Sequence, residues 1–194
     1  MSSTDPVAFL NGDFFSASMA RISADDRGFL YGDGLFETIR VHDARPFLWE
    51  WHMMRFTDGA VSLGIALPQT TESLLGNVHE LIRRNSMSES VMRIALSRGI
   101  GERGYGVTGE EQPTLLITQH SPPTTPAKPL SLVSTSARVA IGDPLAKVKS
   151  ANKLGSILAK RDATNQGADD GFILNSEGNV TETSSANLFW VEGR

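Results

Sequence analysis

The 194-residue sequence contains no cysteine. That excludes a disulfide scaffold, a thiolate metal site and a cysteine nucleophile, and it fits a cytoplasmic protein. Basic charge is also scarce. Lys+Arg is 18 against Asp+Glu 22, a formal net charge of −4, so the basic footprint of a nucleic-acid binder is missing. No run approaches the ~18 uninterrupted apolar residues of a membrane helix. Met1-Ser-Ser-Thr-Asp-Pro6 has neither a basic start nor an apolar run, so no secretory signal is expected. Histidines 42, 52, 79 and 120 show no paired ligand spacing, and no metal site is expected. A G-x-S-x-G elbow is lacking, which leaves a serine hydrolase of that type without support. Aromatics are only 7%, yet hydrophobic residues reach 40% and charged residues 21%. That is an ordinary globular composition, enough for one domain or two small ones at ~100–200 residues each.

The clearest break is Ser121-Pro-Pro-Thr-Thr-Pro-Ala-Lys-Pro129, whose four prolines cannot sit inside a helix or a central strand. It reads as an extended linker between a domain over 1–120 and a second over 130–194. In the first, Val7–Leu10, Leu35–His42, Val91–Ser97 and Thr114–Thr118 read as strands. Glu50–Leu63 and Thr71–Arg84 have helical spacing, the latter with Leu74, Leu75, Val78, Leu81 and Ile82 on one face and Asn85 as its stop. In the second, Leu130–Ala140 is extended and Asn152–Asn165 helical, with Leu154, Ile157 and Leu158 along one side. Gly171–Leu174, Val180–Glu182 and Asn187–Val191 read as short strands. The fold class is therefore mixed α+β or α/β. A second domain that stops so soon after a strand is expected to be incomplete.

Gly99-Ile-Gly101-Glu-Arg-Gly104 matches G-x-G-x-x-G after a strand, but Tyr105-Gly-Val-Thr-Gly109 follows where a dinucleotide site needs a helix to begin. What remains is a loop that places Arg98 and Arg103 for a carboxylate, or else a solvated hairpin. Gly28-Phe-Leu-Tyr-Gly32-Asp-Gly34 is a glycine-rich turn feeding a strand in which Glu37 and Arg40 fall on opposite faces. Strand parity leaves Arg40 and Arg93 as alternative pocket arginines. Lys147, Lys149 and Lys153 precede a helix. As an amine nucleophile a lysine needs burial or a neighbouring cation, and spacing does not choose among the three. Thr181-Glu182-Thr-Ser-Ser-Ala-Asn187 is either a polar turn or an anion cradle.

Taken in order, these motifs carry more than any one of them. Asp26-Arg27-Gly28-x-x-x-Gly32-Asp33-Gly34-Leu-Phe-Glu37 is followed by His52-x-x-Arg55, Arg98-Gly-x-Gly-x-Arg-Gly-Tyr105, Lys149-Ser-x-Asn152, and Val180-Thr-Glu182 with Ser184-Ser-Ala-Asn187-Leu-Phe. The series resembles the class IV aminotransferases, the fold-type IV pyridoxal-phosphate enzymes, from about Val7 to the end. The resemblance implies a two-domain architecture with the cofactor, pyridoxal 5'-phosphate, in the cleft, a homodimer, and a small amino-carboxylate substrate. It implies that Lys149 forms the Schiff base and shuttles a proton. Glu182 would keep the pyridine nitrogen protonated so that the ring absorbs electrons. Arg55 would bind the phosphate, with Ser184, Ser185 and Asn187 lining the cofactor site. Phe36, Arg93 and Arg103 would face the substrate, Phe36 without the hydroxyl that many relatives carry there. Members usually extend further, so the 194-residue form is expected to be inactive alone. Ser97–Tyr105 and Ala186–Trp190 are similar to aminodeoxychorismate lyase, which eliminates pyruvate to leave p-aminobenzoate. Phe36–Arg40 and Lys160–Ala163 are similar to branched-chain and D-amino-acid transaminases too. A third reading is an inactive fragment serving as a dimerising scaffold.

Overall fold

The computed structural model describes residues 5–193. The chain divides into two units. The first takes in the residues up to Pro123 together with Lys147–Ala151, and the second takes in Thr124–Ala146 and the residues from Asn152 onward.

The first unit is a six-stranded antiparallel sheet covered by two helices. The strands are β1 (Val7–Leu10), β2 (Asp13–Ser16), β3 (Gly34–His42), β4 (Arg45–Pro46), β5 (Ser90–Ile100) and β6 (Gln112–His120), in the order β2-β1-β6-β5-β3-β4. Strand β2 lies outside the sequence expectation. It pairs with β1 through Asn11-Gly12, both at positive φ, which is the turn chemistry a two-residue hairpin requires. A short helix α1 (Arg27–Tyr31) opens on Asp26, whose side chain accepts from the Gly28 amide, and closes on Gly32 at φ 69°.

Alternation decides which residues of the sheet face the helices. Leu35, Ile39 and Val41 of β3, Met92, Ile94 and Leu96 of β5, and Leu115 and Ile117 of β6 are all buried. They form one core with Met53, Phe56 and Ala60 of α2 (Trp49–Leu63) and Leu74, Val78 and Leu81 of α3 (Thr71–Asn85). Gly59 inside α2 is a close approach, since a Cβ there would stand 2.9 Å from Leu35 Cδ1. The α3 cap is Ser86 at φ 53°, one residue beyond the expected stop. Asn85 instead ties the helix end to β1, accepting from Val7 N at 2.7 Å and donating to Val7 O at 3.0 Å.

The second unit has β7 (Leu132–Val139) parallel to β8 (Asp170–Asn175), and β8 antiparallel to β9 (Val180–Thr183). Helix α4 (Leu154–Asn165) connects the parallel pair, as a parallel crossover requires. Its buried face is not the expected leucine side. Leu154, Ile157 and Leu158 are exposed, and Ala159 and Ala163 are fully buried. The reason is proximity: a Cβ on Gly171 of β8 would lie 3.1 Å from Ala159 O and 3.2 Å from Ala163 Cβ. Only small side chains fit there. Asn187–Val191, expected as a strand, is irregular and mostly exposed. No strand among the described residues pairs with it, and a ladder needs a partner. Among the described residues no helix is long and apolar enough to cross a membrane.

Two glycines give opposite expected outcomes in chemical denaturation. Gly76→Ala, in open space on α3, stabilises by about 1 kcal/mol through helix propensity. Gly34→Ala puts a Cβ 2.5 Å from Leu96 O and costs about 1–3 kcal/mol, because a backbone atom must move.

Candidate active site

The sheet face opposite the helices carries the first group of expected site residues. Phe36 on β3 and Ala95 on β5 are register partners, and Arg93 is paired with Thr38 one step along. The three side chains therefore share a face. With Leu116 and Thr114 of β6, and with Ile22, Ala24 and Phe29 ahead of β3, they line a mostly apolar cavity of about 490 Å³. Arg93 is the cation among its lining residues. Its guanidinium carbon stands 3.7 Å from the Phe36 ring centroid. Partial burial pulls its pKa below the ordinary arginine value. Arg40, the alternative, lies toward the end of β3 and pairs with Glu89 at the surface.

Lys149 reaches the same ring from another segment. The stretch Lys147–Ala151 runs beside the start of β3, with Phe36 N donating to Lys149 O at 3.0 Å and Ala151 N donating to Gly34 O at 2.8 Å. These backbone bonds fix Lys149 in register with Phe36, and its Nζ lies 5.1 Å from the Phe36 ring centroid. Ala151 lines the cavity. An amine, a guanidinium and an aromatic face thus converge at one place, which spacing among three lysines did not reveal.

Arg55 faces a different partner. Glu37, next to Phe36 but on the helix side of the sheet, is fully buried. Arg55 donates to it twice, Nε to Oε1 at 2.7 Å and Nη2 to Oε2 at 2.6 Å, and His52 Nδ1 lies 2.8 Å from Oε2. Burial pushes the Glu37 carboxyl up, but hydrogen bonds from Arg55 and His52 outweigh it and hold the pKa below the ordinary value. The sequence reading did not single out this acid as a site residue. A signal was present: Glu37 falls on the core parity of Leu35, Ile39 and Val41, where a carboxylate needs cations. His52 and Arg55, three apart on a helix, supply them from one face.

The expectation for Arg98 is overturned. It is buried and not placed for a ligand: it donates to Asp33 through Nε at 2.8 Å and Nη2 at 3.2 Å, and to the carbonyls of Leu63 and Gly64. Asp33 and the end of α2 take four of its five donors. Arg103 is exposed on the 101–109 loop, outside the residues that line the cavity.

In the second unit, Glu182 on β9 is exposed and pairs through its backbone with Ile173. Ser184 is buried, its hydroxyl donating to Asp170 at 2.6 Å. Ser185 and Asn187 are exposed, and Thr183 Oγ1 accepts from the Ala186 amide at 2.9 Å, closing the turn that contains Ser185. His42, Asp43 and Glu89 gather at an exposed edge of the first unit, where Arg40 on the same Glu89 carboxylate supplies the countercharge.

The amino-transferase class IV family profile matches residues 34–194. A provisionally named branched-chain-amino-acid aminotransferase of Methanocaldococcus jannaschii is 36% identical over 186 residues, 95% of this chain and 65% of that protein. The aminodeoxychorismate lyase of Bacillus subtilis is 30% identical over 192 residues, 97% of this chain and 65% of that protein. The crystal structure of a branched-chain amino acid aminotransferase from T.th. with pyridoxamine 5'-phosphate matches with a TM-score of 0.85 at 27% identity, over 93% of this chain and 62% of that one. The chain therefore spans about 65% of the length of the curated relatives it matches.

Glu37 has a depressed pKa in the folded state, so its contribution to stability is present above the ordinary carboxylate value of 4.5 and is lost as pH falls through the lower folded value. Urea midpoints measured from pH ~7 to ~2 should fall along an acid limb that Glu37→Gln makes shallower. The same variant is destabilised at pH ~7, because Arg55 and His52 lose a buried anion.

Proposed function

Because the chain belongs to the class IV aminotransferases, we propose that it is a pyridoxal 5'-phosphate enzyme acting on a small amino-carboxylate substrate through Lys149. Members of this family use that cofactor, and the T.th. relative is described with its pyridoxamine form. The observation that carries the proposal is the convergence of Lys149 Nζ and the Arg93 guanidinium on the ring of Phe36, Phe36 and Arg93 themselves lining a cavity with apolar walls. The residues fit the group. A flat heteroaromatic ring suits the Phe36 face, and an amine stands beside it to hold the ring covalently.

When bound, pyridoxal phosphate supplies an electron sink for the bond broken at the substrate α-carbon. The Lys149 amine would hold the cofactor and would be the base that takes and returns the proton at that carbon. Arg55, held by Glu37 through Nε and Nη2, would offer its Nη1 side to the phosphate. Glu182 would supply the acid that keeps the ring nitrogen protonated, and Ser184, Ser185 and Asn187 would belong to the same cofactor-binding stretch. Arg93 and Arg103 receive substrate carboxylates, and Phe36, Leu116 and Phe29 keep water from the reacting face. Phe36 has no hydroxyl and moves no proton.

The specific reaction we favour is the elimination of pyruvate from aminodeoxychorismate to leave p-aminobenzoate. An apolar cavity with one arginine at its wall suits a carbocyclic acid, and the family resemblance assigns a second carboxylate to Arg103, on the loop outside that wall. A branched-chain or D-amino-acid transamination is the second reading, favoured by the 36% identity to the Methanocaldococcus jannaschii relative. We place the protein as a homodimer in the cytoplasm.

The purified chain, incubated with pyridoxal phosphate and reduced with borohydride, should carry label on Lys149 alone, and Lys149→Ala should carry none. Label spread over Lys147 and Lys153, or no label, would mean that the site is not formed and would favour a scaffold. p-Aminobenzoate fluorescence from aminodeoxychorismate then selects the lyase. Keto acid formed only when an amino acceptor is present selects the transaminase.

A further inference from the structure

The loop that carries Arg103 has five glycines between residues 99 and 109, three of them at positive φ. Such a stretch has a wide conformational range, and a binding side chain on it would lose that freedom on meeting a ligand. In the structure the loop is held from one side by a single buried guanidinium. Arg27 of α1 is 2% exposed. Its Nη1 donates to Glu102 O at 3.3 Å and Gly104 O at 2.9 Å, and its Nη2 donates to Tyr105 O at 3.4 Å. These carbonyls bracket Arg103 on both sides. Tyr31, one turn along α1, accepts from Gly104 N at 3.0 Å, and its ring meets that of Tyr105 edge-on at 5.5 Å. Arg27 also lies over the Tyr31 ring, 5.2 Å from its centroid. Gly101 admits this packing, since a Cβ there would lie 2.8 Å from Arg27 Cδ.

A buried guanidinium needs a counter-ion. Asp33 provides it at 2.9 Å from Arg27 Nε and is itself fixed by Arg98. The clamp is therefore anchored to the end of α2 before it touches the loop. Lysine could keep the charge but not the fork that reaches three carbonyls at once.

We infer that Arg27 is a positioning residue, fixing the 102–105 turn so that Arg103 meets a substrate carboxylate without first ordering its loop. The inference deepens the proposed function by naming what sets Arg103 for its ligand, and it rests on that reading for the ligand alone. The clamp itself stands on geometry within the first unit.

Three variants test it: Arg27→Met, Arg27→Lys and Tyr31→Phe. Hydrogen exchange read by mass spectrometry should speed up at least ~10-fold in the peptide covering 101–106 for Arg27→Met, by less for Arg27→Lys, and by ~2–3-fold for Tyr31→Phe. Borohydride labelling of Lys149 should persist in all three. With aminodeoxychorismate, KM should rise ~10-fold or more in Arg27→Met while kcat stays within ~3-fold, with partial recovery in Arg27→Lys. Unchanged exchange at 101–106 in folded Arg27→Met overturns the clamp. If Arg27→Met does not fold, unchanged exchange in Arg27→Lys, which keeps a cation beside Asp33 but loses the fork, overturns it. Faster exchange with KM unchanged, or with kcat and KM falling together, overturns the positioning role. If the unsubstituted chain takes no borohydride label on Lys149, the functional reading fails and the exchange measurement still decides the clamp.

Discussion

One carboxylate shared by two arginines ties the first unit together. Asp33 follows the turn after α1 and accepts from Arg27 on one side and Arg98 on the other. Burial favours its neutral form, but hydrogen bonds from Arg98 and Arg27 win and keep its pKa below the ordinary range. Through Arg98 it reaches the last carbonyls of α2, and through Arg27 the loop between β5 and β6. Three segments far apart in the chain thus share one charge balance. Removing either arginine leaves a partly buried ion short of a partner, which costs more than the pair contributes when intact.

Strand β3 carries the second constraint. Consecutive residues on it serve opposite faces, so Phe36 looks into the cavity while Glu37 looks into the helix layer. The Phe36 ring gathers Lys149 and Arg93, and the Glu37 carboxylate gathers Arg55 and His52. A one-residue slip of β3 against β5 would exchange the two sets and place an acid in the cavity. The eight register pairs between these strands oppose that slip. The mixed α+β fold of the class IV aminotransferases thus fixes the chemistry of both faces by a backbone ladder.

Much of this was legible in the sequence where patterns are local. The alternation of Leu35–His42 and the apolar spacing of Thr71–Arg84 mark elements that formed within a residue or two of expectation. The order of glycine, arginine and lysine motifs pointed to the family. What escaped was non-local. Helix α4 buries alanines because Gly171 lets it approach closely, a fact held by another strand. Arg98 looked ligand-ready because nothing beside it in sequence accepts from it, and its acceptors are at Asp33, Leu63 and Gly64. The cavity wall combines residues from 22 to 151, so no window of sequence contains it. Strand β2 is the exception, since Asn11-Gly12 is a local hairpin signal at the join of β1 and β2.

The chain meets its own beginning late. The start of β3 offers Phe36 N and Gly34 O along an edge that β4, paired only near His42, does not cover. Those groups are filled by Lys149 and Ala151, after the chain has passed through β7 of the other unit. During synthesis from the N-terminus, the sheet is therefore left with an open edge until residue 151 has emerged. An open edge is a place where a second nascent chain can pair. The segment bearing Lys149 is then also the piece that finishes the first unit, so in order of assembly a complete sheet and a placed amine arrive in the same event.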